Sequence, residues 1–182
     1  GITLVNGKSL ENPIYLLADN GSLEAEATLS LRKSAHILGL LAGVDFHPVS
    51  LLHSSKIDPS LLGGINAETM GDFLSGPIGR SSDDLRILPF FFGPSRALTE
   101  WLPEKLEQWK SERDRRSFRI LGCLHQSGDD RLAVALEDLC LRAINRNELK
   151  KPFLALVDHG TPVFDVHRVR EEVGEGLKER MA

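Results

Sequence analysis

Two cysteines in 182 residues, Cys123 and Cys140, are too few for a disulfide framework, and neither lies in a Cys-x-x-Cys pair. A reducing, cytoplasmic setting is the expectation. Runs of Lys and Arg are also missing, and the net charge is −4. That balance argues against a nucleic-acid partner. No apolar stretch is long enough to cross a bilayer. The opening GITLVNGKSLENP has no basic region followed by an apolar one, so a secretory leader is not expected. A long glycine-rich phosphate loop is absent as well, which ranks nucleotide or anion binding in a flavodoxin-like manner last among the readings below.

What remains is the composition of a globular protein, 41% hydrophobic and 26% charged. Apolar strand-like runs alternate with helical ones. The expected strands are Ile14–Asp19, Phe46–Leu52, Leu85–Phe91, Phe118–Leu124 and Phe153–Val157. The expected helices are Leu23–Leu41, Asn66–Leu74, Leu98–Trp109, Arg131–Ile144 and Val166–Arg180, with Gly43 closing the first. Strict alternation predicts an α/β fold, a parallel sheet with helices on both faces in a flavodoxin-like or related doubly wound order. The polar stretch ELKKP, Glu148 to Pro152, is the expected boundary between a first module over 1–147 and a linker with a further βα unit over 148–182.

Ligands of such sheets bind beyond the carboxyl ends of the strands. Three of the six histidines fall there: His53, His125 and His159. Imidazoles on one rim are suited to hold a divalent cation or to move protons. His36 and His167 on helices, and His47 within a strand, read as structural.

One turn occurs twice. LLADNGS, Leu16 to Ser22, and LVDHGTP, Leu156 to Pro162, both run from an apolar strand into Asp-x-Gly-Ser/Thr and then a helix. Gly21 and Gly160 permit a positive φ. Ser22 and Thr161 are placed to meet the first helical N–H groups, and Thr161 with Pro162 reads as a helix cap. The two copies differ in the residue between Asp and Gly: Asn20 in one, His159 in the other.

These turns, together with LPFFFGPSRALTEWLP from Leu88 to Pro103, resemble the CbiX/SirB-type sirohydrochlorin chelatases. That family has Gly-His-Gly-Ser after its first strand. After its third strand it has a segment similar to Pro-Leu-Phe-Leu-x-x-Gly-x-His, followed by an acidic residue and Ile-Pro. Pro89 to Phe92, Gly93, Arg96, Thr99, Glu100 and Pro103 match that segment. The two family histidines are replaced by Asn20 and Ala97, neither of which binds a metal well or accepts a proton. A family carboxylate near the end of the second strand falls close to His53.

The resemblance implies insertion of a divalent metal, Co2+ favoured over Fe2+ or Ni2+, into sirohydrochlorin or a related tetrapyrrole, with the metal as substrate and no organic cofactor. It also implies two similar modules in the larger members, so that Phe153 onward begins a second module that retains the histidine. On this reading His159 is catalytic and Asp158 orients it, although the Asp158 side chain can equally turn into the loop. His159, His125 and His53 are the metal-ligating candidates. Asn20, Gly21, Ser22, Phe92, Arg96, Gly160 and Thr161 contact the macrocycle, with Lys56 beside them. The alternative is a non-catalytic homologue that binds metal or tetrapyrrole and has lost the chemistry with the histidine pair. Pairing with a second copy of the chain is the expected way to cover an exposed sheet edge.

Overall fold

The computed structural model describes residues 12–158 and 160–182. They form two compact units. The first takes the described residues up to Phe90 together with Ala97–Leu121, and the second takes Phe91–Arg96 with Gly122–Ala182.

The first unit is a four-stranded, all-parallel sheet: β1 (Ile14–Asp19), β2 (Phe46–Ser50), β3 (Asp84–Pro89) and β4 (Ser117–Ile120), in the order β2-β1-β3-β4. This is the doubly wound order expected from the alternation, with the first strand inside the sheet. Leu16, Leu17 and Ala18 are all fully buried. Successive strand residues point to opposite faces, so both faces of β1 are covered.

Helix α1 (Ala25–Ala42) lays Leu31 and Ala35 against Leu17. Gly43, at φ 70°, ends it and donates its N–H to Gly39 O. The helix expected from Asn66 starts later, as α2 (Met70–Ser75). Its entry is fixed by a capping box between Thr69 and Asp72. Residues just before it run extended along β2, where Ser50 N–H donates to Glu68 O at 3.0 Å. A short helix α3 (Pro77–Ser81) follows. The helix expected from Leu98 begins instead with one wide π-type turn, Ala97–Trp101, before α4 (Leu102–Ser111). Pro103 has no N–H to donate back to Thr99, so a regular α-turn cannot close there.

The second unit packs α5 (Arg131–Arg146) on α6 (Phe164–Met181). Gly176 makes this close: a Cβ there would lie 3.2 Å from the Ala133 Cβ. The strand expected over Phe153–Val157 is not formed, and Phe153 is fully exposed. An apolar extended run becomes a strand only by pairing its backbone, and this one pairs with none of the four strands.

Candidate functional site

In the first unit the carboxyl ends of β1 and β2 are tied beyond the strands themselves. Leu51 N–H donates to Asp19 O at 2.8 Å and Leu52 N–H to Asn20 O at 3.1 Å. The intervening turn sits on the neighbouring backbone. Gly21 has φ 89°, and a Cβ on it would lie 1.7 Å from Leu52 O. Only glycine fits here, for reasons of both φ and space. The Ser22 hydroxyl accepts the Glu24 N–H at 3.0 Å and leads the chain into α1.

The next residue along β2's exit is strained. His53 has φ 68° and ψ −35°, and Ser54 N–H donates to Leu52 O at 2.8 Å. This is a three-residue turn of the rare strained hand. It leaves the His53 imidazole exposed, with Lys56 also exposed three residues on. Ser54 is fully buried, and its hydroxyl has no hydrogen-bond partner among the described residues.

Asp19 carries a second anomaly at the same edge. Its Oδ1 is buried without a partner among the described residues. Burial pushes its carboxyl above the ordinary value, while the Ser50 hydroxyl and the Gly21 N–H act in the opposite sense. A strained residue and two orphaned polar atoms thus gather where β1 and β2 end, the kind of place that is a candidate for function.

The raised Asp19 value fixes a pH dependence. A carboxyl whose folded value exceeds its unfolded one stabilises the fold most below the unfolded value and loses that contribution as pH rises through the folded one. Asp19→Asn is therefore expected to raise the urea midpoint at pH 7 relative to wild type, and to do so less at pH 4. Equal shifts at both pH values would show that ionisation of Asp19 is not what strains the site.

The second copy of the turn lies in the second unit and is built in the same way. Asp158 Oδ1 accepts the Gly160 N–H at 2.8 Å, as Asp19 accepts that of Gly21. Gly160 has φ 75°. The Thr161 hydroxyl accepts the Val163 N–H at 3.1 Å, two residues on, as Ser22 does for Glu24. Each turn glycine is followed four residues later by a helix of 18 residues, α1 in one case and α6 in the other. The expected cap is displaced: α6 starts at Phe164, so Thr161 and Pro162 precede the helix rather than opening it. Asp158 also takes Arg170 Nη1 at 3.3 Å, so its carboxylate is turned into the loop and toward α6. His159 lies outside the described residues.

The remaining candidates divide between the units. Asn20, Gly21, Ser22 and His53 belong to the first, and Phe92, Arg96, His125, Asp158, Gly160 and Thr161 to the second. Phe92 and Arg96 are exposed. His125 is brought beside Phe92 by its N–H, which donates to Phe92 O at 3.3 Å. Its ring is buried, with Nε2 3.0 Å from Glu172 Oε2. The Ser127 hydroxyl donates to the other oxygen of Glu172 at 3.0 Å. The His125 bond first, and Ser127 second, hold Glu172 below the usual carboxylate range. Among the described residues no three His, Cys, Asp or Glu side chains are grouped so as to hold a metal ion. His47 and His167 are tied down locally, to Glu68 at 2.5 Å and to Arg170 at 3.1 Å.

Glu172 and Ser127 were not legible as site residues, since nothing in their spacing ties them to His125. Asp19 did leave a trace, as a carboxylate closing an otherwise apolar strand, IYLLAD.

No protein-family model matches this sequence, and no curated protein matches it. Among solved structures it is similar to a putative cobalamin (vitamin B12) biosynthesis CbiX protein from Marinobacter aquaeolei VT8. The two are 14% identical with a TM-score of 0.49, and the match covers 76% of this chain and all of the other. At that level no residue role is carried from one to the other. No helix among the described residues is long and apolar enough to cross a membrane.

Proposed function

We propose that this chain is a chelatase-like protein of cobalamin or siroheme chemistry that handles a divalent metal and a sirohydrochlorin-like tetrapyrrole. The observation that carries the reading is the repeated turn: an aspartate bonded to the N–H of the glycine two residues on in both copies, with Asn20 between them in one sequence and His159 in the other. Asn20 has no basic lone pair of useful strength. An imidazole at position 159 does, and can accept a pyrrole proton or ligate the incoming ion.

Metal insertion removes two pyrrole N–H protons and delivers the ion from one face of the ring. His159 takes the basic role in this reading. Asp158 holds the turn through the Gly160 N–H and Arg170, a positioning task rather than a proton-transfer one. His125 or His53 assists; Glu172 holds the His125 ring through Nε2. Arg96 and Lys56 suit the carboxylates of the macrocycle, and the exposed ring of Phe92 suits its face. The Asn20–Ser22 and Gly160–Thr161 turns supply backbone contacts.

An anaerobic absorbance assay tests the reading. Purified protein is mixed with sirohydrochlorin and Co2+, beside His159→Ala and a protein-free blank. Conversion faster than the blank that disappears in His159→Ala is the expected result. Conversion no faster than the blank rejects catalysis by this chain; a shifted but unconverted spectrum then assigns it to the non-catalytic binders, and an unshifted one rejects tetrapyrrole binding too.

A further inference from the structure

In the second unit the segment 153–157, Phe-Leu-Ala-Leu-Val, has the sequence of a strand and leaves its backbone unused. None of its N–H or C=O groups enters a backbone hydrogen bond among the described residues. Its two sides differ. Leu154 and Leu156 line an apolar groove of about 550 Å³ with Leu136 and Cys140 of α5 and Leu177 and Met181 of α6. Phe153 and Val157 alternate with them, the first fully exposed and the second 81% exposed. An open strand of this kind is a template for another strand.

The sequence states what fits it. FLALV reads nearly the same from either end. Laid antiparallel on a second copy, about a two-fold axis at Ala155, Phe153 opposes Val157, Leu154 opposes Leu156, and the small Ala155 opposes itself. An aromatic ring opposite a β-branched side chain is a favourable cross-strand pair. Charge selects the direction. Lys150 and Lys151 stand at the start of the segment and Asp158 at its end. Both lysines are exposed and enter no ion pair among the described residues. Parallel pairing sets lysines against lysines, which is destabilising, whereas antiparallel pairing sets them beside the Asp158 of the other copy. Asp158 already holds Arg170 at 3.3 Å, so the repulsion avoided decides the direction more than the attraction gained.

Proline selects the edge. Along a strand, alternate residues turn their N–H and C=O groups to opposite edges. Pro152 lacks an N–H and shares an edge with 154 and 156. The edge of 153, 155 and 157 keeps every donor and acceptor. We propose that the segment 153–157 joins two copies of this chain through that edge, as an antiparallel ladder about a two-fold axis. The axis closes the pairing, since each copy uses the same edge. None of the four strands of the first unit takes the segment, and a second copy always brings the complementary sequence and charge. The proposal does not rest on the tetrapyrrole reading.

Sedimentation equilibrium of the whole chain is expected to show a concentration-dependent monomer–dimer equilibrium. In the dimer, hydrogen exchange is expected to slow at the amides of Phe153, Ala155 and Val157 and not at those of Leu154 and Leu156. Ala155→Pro removes the donor at the axis and is expected to weaken association about a hundredfold. Ala155 bonds to no backbone group among the described residues, so far-UV circular dichroism of that variant should match wild type. Should it not fold, Lys150→Glu/Lys151→Glu is read instead, and alongside it in any case. That surface variant sets glutamates beside Asp158 of the other copy and is expected to weaken association about tenfold; in a parallel ladder it replaces one repulsion by another and changes nothing. A monomer at every concentration, growth beyond the dimer, a dimer that folded Ala155→Pro leaves intact, protection without the alternation, or wild-type association in the lysine variant would overturn the proposal.

Discussion

Gly21→Ala is expected to lower the unfolding free energy of the first unit by about 3–5 kcal/mol, while Gly160→Ala lowers that of the second by only about 1 kcal/mol. Both glycines occupy the left-handed region, at φ 89° and 75°, so both alanines incur the same backbone penalty. Their surroundings differ. A Cβ on Gly21 would meet the Leu52 carbonyl oxygen at 1.7 Å, whereas one on Gly160 meets nothing within 4 Å among the described residues. Backbone cannot swing aside as a side chain does. Relief at Gly21 would require breaking the bonds from Leu51 and Leu52 to Asp19 and Asn20, and with them the register of β2 on β1.

Urea unfolding checks this. Both tryptophans, Trp101 and Trp109, lie in the first unit, so fluorescence follows it; far-UV circular dichroism reports the helices of both units, and the second unit is read from the part of that signal that does not change together with the fluorescence. Equal losses at the two glycines, or a loss below about 1 kcal/mol at Gly21, would show that the close approach to Leu52 is not what holds the edge. The functional consequence follows from the same geometry. The Gly21–Leu52 contact ends where the strained turn at His53 begins, so loosening one frees the other. The Gly21 turn thus helps to impose the backbone conformation of His53.

The sheet was legible because its strands are short apolar runs bounded by turn residues, and because a buried parallel strand needs apolar side chains on both faces. IYLLAD satisfies that requirement, and Leu16, Leu17 and Ala18 are fully buried. FLALVD at 153–158 satisfies it equally well and forms no strand. Sequence reports the capacity to pair, and the presence of a partner is decided elsewhere in the chain or beyond it. Helix starts were less legible for a related reason. Pro103 and the Thr69–Asp72 box act through particular backbone bonds that periodicity does not register.

At the candidate site, the turn glycines were readable because only glycine tolerates their φ. The strain at His53 was not, because a histidine in that conformation violates the local preference that makes sequence readable at all. The His125–Glu172 pair joins residues 47 positions apart through an ordinary charged helix. Its existence depends on how α6 packs in the second unit.

Arg116→Ala is expected to destabilise the first unit by about 3 kcal/mol, and Arg116→Met by about half of that. Arg116 stands just before β4 and is 4% exposed. Its guanidinium donates to Trp109 O at 2.6 Å and to Arg80 O at 2.9 Å, joining the end of α4 to α3. It also lies 4.5 Å from the centre of the Trp109 ring, and the indole in turn donates to Gly79 O at 2.9 Å. Glu112, its ionic partner at 2.7 Å, is mostly exposed, so that pair adds little. The loss therefore comes from the Trp109 carbonyl left without its charged donor, from the Arg80 carbonyl left with Arg113 alone at 3.2 Å, and from the space over the indole. Methionine refills the space and restores neither bond, which separates the two contributions. Because the cation sits on the ring, both variants should also shift the Trp109 emission. If alanine and methionine cost the same, the hydrogen bonds alone hold this corner; if methionine restores wild-type stability, the packing does, and the buried charge is there for something other than the fold.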